Sequence, residues 1–346
     1  MIDCSFLIKA ASCLYYTQQI TKDIMKAFSE YSALIEKNIR DLEFPGGELT
    51  SLYEPIAYGM SAGGKRLRPA LMLMTADAFG GNAEAAFRAA AGIEMFHNFT
   101  LLHDDVMDNS DTRRGRPSVH AKWDVNTAIL SGDTMLTLAT QLISDVEDAK
   151  LRKVLDTFND MAIRVYEGQR LDMDFETRDD VTIDDYIRMI MDKTGALIGA
   201  SAKIGAIIGG ASDEDASRMY EYGMMLGVAF QIQDDWLDVF GDSNTFGKPI
   251  GGDINNNKKS FLLLSGLADK GAEGIALGEA MKLTAGDTKV KVVTRLYEKM
   301  GISEICKKEI ARYVSRALAA LRKINLGEEE KEPYKKLLDK LTGRKK

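Results

Sequence analysis

The stretch that decides the fold is Leu101–Pro117, LLHDDVMDNSDTRRGRP, in which a group of aspartates is followed closely by a group of arginines. The segment before it, AAAGIEMFHNFTLL at 89–102, is almost wholly apolar, which indicates that the aspartates stand at the end of a buried helix. Residues i and i+4 share one helix face about 6 Å apart, so Asp104 and Asp108 lie together with Asp105 beside them. Carboxylates at the rim of an apolar cavity are costly unless a cation compensates them. The pattern therefore favours a bound hard cation such as Mg²⁺ over a solvated acidic face.

The same layout occurs a second time, in QIQDDWLDVFGDSNTFGKP at 231–249. Asp234, Asp235 and Asp238 repeat the spacing of the first three aspartates, and a glycine-containing loop with a cation follows again. Two aspartate-rich helices that face each other can hold metal ions with a polyphosphate between them, since Mg²⁺ commonly bridges carboxylates to phosphates. Two such segments are a far more specific signal than one.

Clusters of cations accompany the two motifs. GGKRLRP at 63–69 offers Lys65, Arg66 and Arg68 behind a glycine turn, although it is not a Walker A loop. Two further segments, DKTGAL at 192–197 and GKPIGGDINNNKKS at 247–260, add lysines. One phosphate group does not need so many positive groups, so the sequence predicts two anionic substrates.

The rest of the chain predicts an all-α protein. It has 346 residues, 45% of them hydrophobic, only six prolines, and few alternating β-branched runs. Helical apolar spacing runs through about 84–107, 126–145, 150–175, 183–208, 213–241 and 288–322. We expect one domain, 23–346, preceded by an appendage, 1–22.

Charge and cysteine content exclude several classes of protein. The net charge of −7 argues against a nucleic-acid binder, which normally carries a basic surplus. The three cysteines form no CxxC pair, which suits a reducing cytoplasm. The longest apolar stretch, ALIGASAKIGAIIGG from Ala196, is cut by Lys203, so we expect no integral membrane segment.

At this point the chain resembles a known family, the trans-type isoprenyl (polyprenyl) diphosphate synthases, of the short-chain farnesyl or geranylgeranyl diphosphate kind. The segments that carry the resemblance, in the family's order, are GGKRLRP, LLHDDVMDNSDTRRGRP, EGQRLD, DKTGAL, QIQDDWLD and GKPIGGDINNNKKS. The resemblance implies an all-α bundle around a deep central cavity, usually a homodimer. It also implies Mg²⁺-dependent, head-to-tail joining of isopentenyl diphosphate to an allylic diphosphate, with three Mg²⁺ ions.

The resemblance also implies a role for each matching residue. The aspartates that would hold Mg²⁺ are Asp104, Asp105, Asp108, Asp234 and Asp238. The residues that would contact the allylic diphosphate are Arg113, Lys193, Thr194, Gln231, Lys248 and Lys258. The residues that would bind isopentenyl diphosphate are Gly64, Lys65, Arg68, His97 and Arg114. The catalytic set drawn from these groups is Asp104, Asp105, Asp108, Arg113, Lys193, Thr194, Gln231, Asp234 and Lys248.

Neighbouring residues leave some alternatives open. Because the resemblance divides Arg113 and Arg114 between two substrates, we predict that the acidic and basic clusters of 101–117 are not partners of each other. Gln169 and Asp172 in EGQRLD either support the site or pack and cap, with equal weight. His103 is expected to be structural.

Bulky residues before the first motif are expected to limit the length of the product. Phe99 and Phe96 precede Asp104 by five and eight positions, or roughly 7 and 12 Å along a helix. In the family that the chain resembles, such residues form the bottom of the cavity. This predicts a C15 or C20 product, with C20 favoured. The alternative is that both are ordinary core residues.

Two other functions compete with this one. A class I terpene cyclase shares the metal-assisted ionisation, but usually has an Asn/Ser/Glu-type second motif where this chain has DDWLD. A non-catalytic partner subunit of a prenyl synthase tends to lose one aspartate-rich motif, and both are intact here.

Overall fold

Helices make up nearly all of the structure, as the apolar spacing predicts. The computed structural model describes residues 28–241 and 250–343. The predicted appendage, 1–22, lies outside the described residues, and so does Lys248. Among the described residues the strands are confined to one short hairpin, so the prediction of an all-α fold is confirmed.

The helices of the described ranges follow one another with short connections. In chain order they are α1 (Phe28–Arg40), α2 (Thr50–Met60), α3 (Leu67–Ala78), α4 (Phe87–Met107), α5 (Val119–Lys122), α6 (Val125–Ile143), α7 (Asp148–Thr177), α8 (Ile183–Ile190), α9 (Ala196–Gly209), α10 (Asp213–Phe240), α11 (Gly252–Asn255), α12 (Phe261–Ala268), α13 (Ala272–Met281), α14 (Asp287–Lys299), α15 (Ile302–Arg322) and α16 (Glu328–Thr342). The hairpin strands are β1 (Thr112–Arg113) and β2 (Arg116–Pro117).

Side-chain caps fix where α8 and α10 begin. Thr182 and Asp185 form a reciprocal capping box at the start of α8, in which each side chain accepts from the other's backbone N–H. Ser212 caps α10 by accepting from the backbone of Asp215. These caps satisfy backbone donors that a helix start otherwise leaves unpaired.

Two predicted helical stretches are interrupted. The stretch 183–208 contains a π-helical turn, Met191–Gly195, where one extra residue is inserted between α8 and α9. The stretch 288–322 is divided into α14 and α15 at Gly301, whose φ of 68° lies in the left-handed region that ends a helix. A pattern of apolar spacing tolerates both interruptions, which is why it does not reveal them.

The core is built on close contact between α9 and α10, both of which are buried along most of their length. The contact depends on glycine, because a methyl group at Gly223 of α10 would lie 2.7 Å from the carbonyl oxygen of Ile198 and 2.8 Å from Cα of Gly199. Helix α3 packs on the other side of α9, and α15 packs along α10. The two backbones at the centre therefore lie closer than larger side chains would allow.

The cavity lies beside this core. Helices α4 and α6 pack together on one side of it, and α7 stands on the other side against the π-helical turn and α9. No helix in the described ranges is both long enough and apolar enough to cross a membrane.

Replacing Gly223 with alanine is expected to lower the free energy of unfolding by about 1–3 kcal/mol, because the added methyl group overpacks the α9–α10 contact. Gly278→Ala in α13 is the matched control, since a methyl group there meets only Leu267 at 3.8 Å. Alanine favours a helix over glycine, so this control should be neutral or stabilising by about 0.5–1 kcal/mol. Denaturant titration followed by circular dichroism measures both, and equal effects would contradict the close packing.

Candidate active site

The first aspartate-rich motif occupies the end of α4. Asp105 is buried, with 3% of its surface exposed, and Asp104 is half-buried. Burial raises the pKa of Asp104 to about 6, and the charge of Asp108 adds to the rise while Lys193 opposes it. Burial also raises the pKa of Asp108. The cluster therefore concentrates negative charge that a bound cation would stabilise.

A tight hairpin returns the chain over this motif. Arg113 pairs with Arg116 across β1 and β2, and the two residues between them, Arg114 and Gly115, have φ values of 52° and 73°. Two consecutive positive φ angles are those of a type I′ turn. The sequence predicts only a loop here, because Arg-Gly is not one of the pairs, such as Asn-Gly or Asp-Gly, that mark a type I′ turn.

The two neighbouring arginines of the hairpin contact different parts of the structure. The Arg113 guanidinium forms an ion pair with Asp105, and Arg114 donates to the carbonyl oxygen of Gly63 in the GGKRLRP loop. The prediction that the acidic and basic clusters are not partners is therefore wrong for Asp105 and Arg113. The physical reason is that a buried carboxylate requires a compensating cation, and the hairpin places Arg113 over it.

The GGKRLRP loop is shaped by two glycines and one strained residue. Gly63, Gly64 and Arg66 have φ values of 74°, 137° and 47°. A methyl group at Gly64 would lie 2.9 Å from Nη1 of Arg114, so glycine allows this arginine to approach the loop. The loop and Arg114 therefore form one cationic surface.

Arg66 does not belong to that surface, contrary to the grouping of the loop's cations in the sequence. Its side chain is buried and forms ion pairs with Glu94 at 2.6 Å and Glu36 at 2.7 Å. It also donates to the carbonyl oxygen of Met60 at 2.9 Å. Arg66 thus anchors the loop to α1 and α4, and it is a structural residue.

Arg68 and His97 form a pair at the edge of the cavity, 3.2 Å apart between Nη1 and Nε2. Because an arginine can only donate, Nε2 accepts, and His97 carries its proton on Nδ1. Burial, followed by the charge of Arg68, lowers the pKa of His97 well below its usual value, so the ring is neutral. Nε of Arg68 is buried without a hydrogen-bond partner among the described residues. An orphaned buried donor of this kind fits an anionic ligand.

The π-helical turn presents Lys193 and Thr194 to the cavity. Nζ of Lys193 lies 2.5 Å from Oδ2 of Asp172 in α7, and the Thr194 hydroxyl donates to Oε1 of Gln231 at 3.1 Å. The Gln231 amide in turn donates to Asp235 at 3.2 Å. This chain of hydrogen bonds fixes the orientation of Gln231.

The second motif divides its aspartates between structure and site. Asp235 is buried, and it accepts from the Tyr186 hydroxyl at 2.7 Å and from the backbone N–H of Phe261 at 3.2 Å. Asp238 accepts from the backbone N–H of Asp253 at 3.0 Å, and burial raises its pKa. Asp234 is half-buried. Asp235 therefore anchors α8 and α12 to the end of α10, and Asp234 stands on the more accessible side.

Lys258 lies among carboxylates near the second motif. Its Nζ lies 3.6 Å from Oδ1 of Asp253. Burial lowers the pKa of Lys258, but the carboxylates of Asp253, Asp235 and Asp172 outweigh it and raise the pKa overall. Asp172 also contributes to the raised pKa of Asp108 in the first motif. Asp172 therefore contacts Lys193 and lies within reach of the charges of both Asp108 and Lys258.

The donor set of the two motifs fits Mg²⁺. Within residues 28–241 and 250–343 no three His, Cys, Asp or Glu side chains surround a common point. Mg²⁺ does not require such a cage, because it keeps several waters and is commonly bound by one or two carboxylates together with substrate phosphates. Hard carboxylate oxygens with pKa values raised by burial, as at Asp104, are suitable ligands.

The cavity itself has a volume of about 530 Å³ and an aromatic floor. Phe99 and Tyr166 line it, with ring centroids 6.1 Å apart. Phe96 is fully buried behind them, 5.5 Å from Phe99. His103 also lines the cavity; it packs edge-on against Phe99 and donates from Nε2 to the carbonyl oxygen of Ile129 at 3.2 Å.

Some residues of the site carry no clear signal in the sequence. Tyr166 comes from α7 and meets Phe99 only in the folded chain. Asp253 lies within GKPIGGDINNNKKS, but its spacing does not distinguish it from its neighbours as a site residue. Gln169 lines the cavity, and its Oε1 is buried without a hydrogen-bond partner among the described residues.

Comparison with known proteins now identifies the family. Residues 49–300 match the family model for polyprenyl synthetase. The geranylgeranyl diphosphate synthase of Methanosarcina mazei is 42% identical over 245 residues, which cover 70% of this chain and 75% of that protein. The geranylfarnesyl diphosphate synthase of Aeropyrum pernix is 37% identical over 293 residues, covering 82% of this chain and 92% of that protein.

A solved structure gives the same result for the fold. A crystal structure of geranylgeranyl pyrophosphate synthase superposes with a TM-score of 0.89 at 40% identity, covering 93% of this chain and all (100%) of that one. The similarity therefore includes the helices around the cavity as well as the motifs. The chain belongs to the polyprenyl synthetase family of prenyltransferases.

Proposed function

We propose that this protein joins isopentenyl diphosphate head-to-tail to an allylic diphosphate (dimethylallyl, geranyl or farnesyl) and releases pyrophosphate. The proposed product is an all-trans prenyl diphosphate of C15 to C20. The observation that carries the proposal is the lining of one cavity, which has Asp104, Lys193 and Arg68 at its charged end and Phe99 and Tyr166 at its aromatic end. Such a cavity suits a ligand with an anionic head and an apolar chain.

Two cationic surfaces would bind the two diphosphates. We assign the allylic diphosphate to Arg113, Lys193 and Lys258, which lie among the aspartates, with Thr194 and Gln231 beside them. Support for a separate isopentenyl diphosphate site is the contact of Arg114 with the Gly63–Gly64 loop. The resemblance adds Lys248 to the first group, and Lys65, Arg68 and His97 to the second. His97 would donate to phosphate from Nδ1.

The aspartates would hold Mg²⁺ ions on the allylic diphosphate. The residues assigned to them are Asp104, Asp105, Asp108, Asp234 and Asp238, with Asp172 and Asp253 close by. When bound, Mg²⁺ would neutralise charge on the leaving pyrophosphate. The number of ions, three, stays a prediction from the resemblance.

The reaction follows from this arrangement of side chains. Arg113, Lys193 and Lys258 would stabilise pyrophosphate as the allylic C–O bond breaks and leaves a carbocation. The double bond of isopentenyl diphosphate, held by Arg68 and Arg114, would then attack that carbon, a step governed by positioning. Loss of a proton to the released pyrophosphate would complete the product. The apolar lining would exclude water that would otherwise quench the cation.

The aromatic floor supports a short product. Growth of the chain away from Asp104 would end at Phe99 and Tyr166, since Phe96 fills the space behind them. Phe96 would therefore act as a second barrier, reached only after Phe99 is removed.

We also propose a homodimer. Helix α6 exposes Val125, Ile129 and Leu130, and the neighbouring α7 exposes Ile163. Several large apolar side chains exposed on neighbouring helices are typical of a protein–protein interface.

Purified protein supplied with Mg²⁺, isopentenyl diphosphate and each allylic diphosphate in turn is expected to form longer prenyl diphosphates, identified by mass spectrometry. Chelation with EDTA should abolish the reaction, and added Mg²⁺ should restore it. Failure to elongate any primer would overturn the proposal. A cyclised hydrocarbon would favour a terpene cyclase, and activity only with an added second subunit would favour a regulatory role.

Arg114→Gln should raise KM for isopentenyl diphosphate about 10- to 100-fold, the cost of one charge-assisted phosphate contact, and leave KM for the allylic substrate nearly unchanged. Arg113→Gln should do the reverse, and Arg113→Lys keeps Asp105 neutralised if the first variant folds poorly. Arg116→Gln is the control, since Arg116 stacks on the Tyr58 ring at 4.0 Å. Steady-state kinetics measure both constants, and a parallel rise of both in either variant would refute the division.

Phe99→Ala should shift the main product to a longer chain, because it opens the floor as far as Phe96. The double variant with Phe96→Ala should lengthen it further. Phe44→Ala, which removes a ring that packs on Tyr53 away from the cavity, is the matched control. Product analysis by mass spectrometry decides, and an unchanged chain length in an active Phe99→Ala enzyme would show that Phe99 is an ordinary core residue.

A further inference from the structure

The face of α7 that contacts the π-helical turn carries three residues at intervals of one helical turn. They are Arg164, Gly168 and Asp172. Gly168 has no room for a methyl group, which would overlap the backbone of Lys193. The backbone of the turn is thus pressed directly onto α7. On either side of this contact, α7 offers charges of opposite sign.

Both charges are used. Nε and Nη2 of Arg164 lie 2.7 and 2.6 Å from Oδ1 of Asp192, which is only 6% exposed. One residue further along the turn, Lys193 meets Asp172 at 2.5 Å. The polarity of the two ion pairs is opposite, so a shift of the turn by one residue would bring like charges together. The charges therefore favour one register of the turn on α7.

A third helix joins the same network. Nη1 of Arg164 donates to the Tyr220 hydroxyl of α10 at 2.7 Å. Three neighbouring residues of the turn are consequently tied to different places: Asp192 to Arg164, Lys193 to Asp172, and Thr194 to Gln231. Arg164 and Tyr220 line an outer depression and not the cavity, so neither would touch the substrate.

We propose that Arg164, braced by Tyr220, is a positioning residue that acts through Asp192 to hold Lys193 and Thr194 toward the allylic diphosphate. The proposal rests on the function proposed above. A π-helical turn has an inserted residue that regular α-helical bonding does not hold in place, and such turns frequently occur at functional sites. Displacement of a substrate-positioning group by about 1 Å can cost on the order of 100-fold in rate.

The test uses the active full-length enzyme. Asp192→Asn removes the negative charge that pairs with Arg164 and keeps the volume of the side chain. Arg164→Lys keeps the positive charge but loses the second guanidinium nitrogen that contacts Asp192. Asp192→Asn should raise KM for the allylic diphosphate about 10-fold or more, and KM for isopentenyl diphosphate should stay within about twofold of wild type. Arg164→Lys should raise the same KM by less than Asp192→Asn does, and Tyr220→Phe should give a smaller change in the same direction.

A double variant separates positioning from stability. Arg164→Met with Asp192→Leu replaces the ion pair by apolar groups, a change that often preserves stability. It should unfold at nearly the wild-type temperature and still show the raised allylic KM. Arg152→Met is the control, because it breaks an exposed ion pair with Asp156 at 2.7 Å on the same helix and should change neither KM.

The outcomes are distinct. If Asp192→Asn or the double variant lowers the unfolding temperature but leaves the ratio of the two KM values at the wild-type value, the network is only structural and the proposal is overturned. If Asp192→Asn does not fold, Arg164→Lys and Tyr220→Phe decide by the same ratio. A wild-type enzyme that elongates no primer would instead overturn the proposed function.

Discussion

Negative charge at the end of an apolar cavity is the constraint on which most of the structure depends. Helix α4 is buried along most of its length, so its terminal carboxylates stand where water compensates them poorly. Burial raises the pKa of Asp104 to about 6, and Asp105 is neutralised by Arg113. Two neighbouring elements place a cation near these carboxylates. The hairpin supplies Arg113, and the π-helical turn supplies Lys193.

Placing a cation of the π-helical turn near the aspartates requires neighbouring backbones to approach one another closely. The π-helical turn fits between α7 and α10 because both helices have a glycine where they contact it. Gly168 of α7 meets the backbone of Lys193, and a methyl group at Gly227 of α10 would lie 2.7 Å from Cα of Gly195. Glycine in a helix costs about 0.5–1 kcal/mol relative to alanine. Glycine is therefore found where the turn that carries Lys193 and Thr194 to the cavity packs between two helices.

The sequence predicts the parts of this arrangement that depend on local spacing. The i, i+4 relation places Asp104 with Asp108, and apolar periodicity identifies the helices that carry them. It does not predict which cation meets which anion. Arg66 carries the same charge as Arg68 two positions away, yet it turns inward to Glu94 and Glu36, and nothing in the spacing distinguishes the two. Contacts of this kind depend on tertiary structure, and so does that of Tyr166 with Phe99.

The hairpin illustrates why order along the chain matters more than composition here. Arg113 and Arg114 are neighbours, but Arg113 lies in β1 and Arg114 lies in the turn, where its φ is 52°. The type I′ turn fixes which side each takes, so that Arg113 meets Asp105 and Arg114 meets the Gly63–Gly64 loop. The backbone, and not the chemistry of the side chains, therefore gives two identical guanidinium groups different partners.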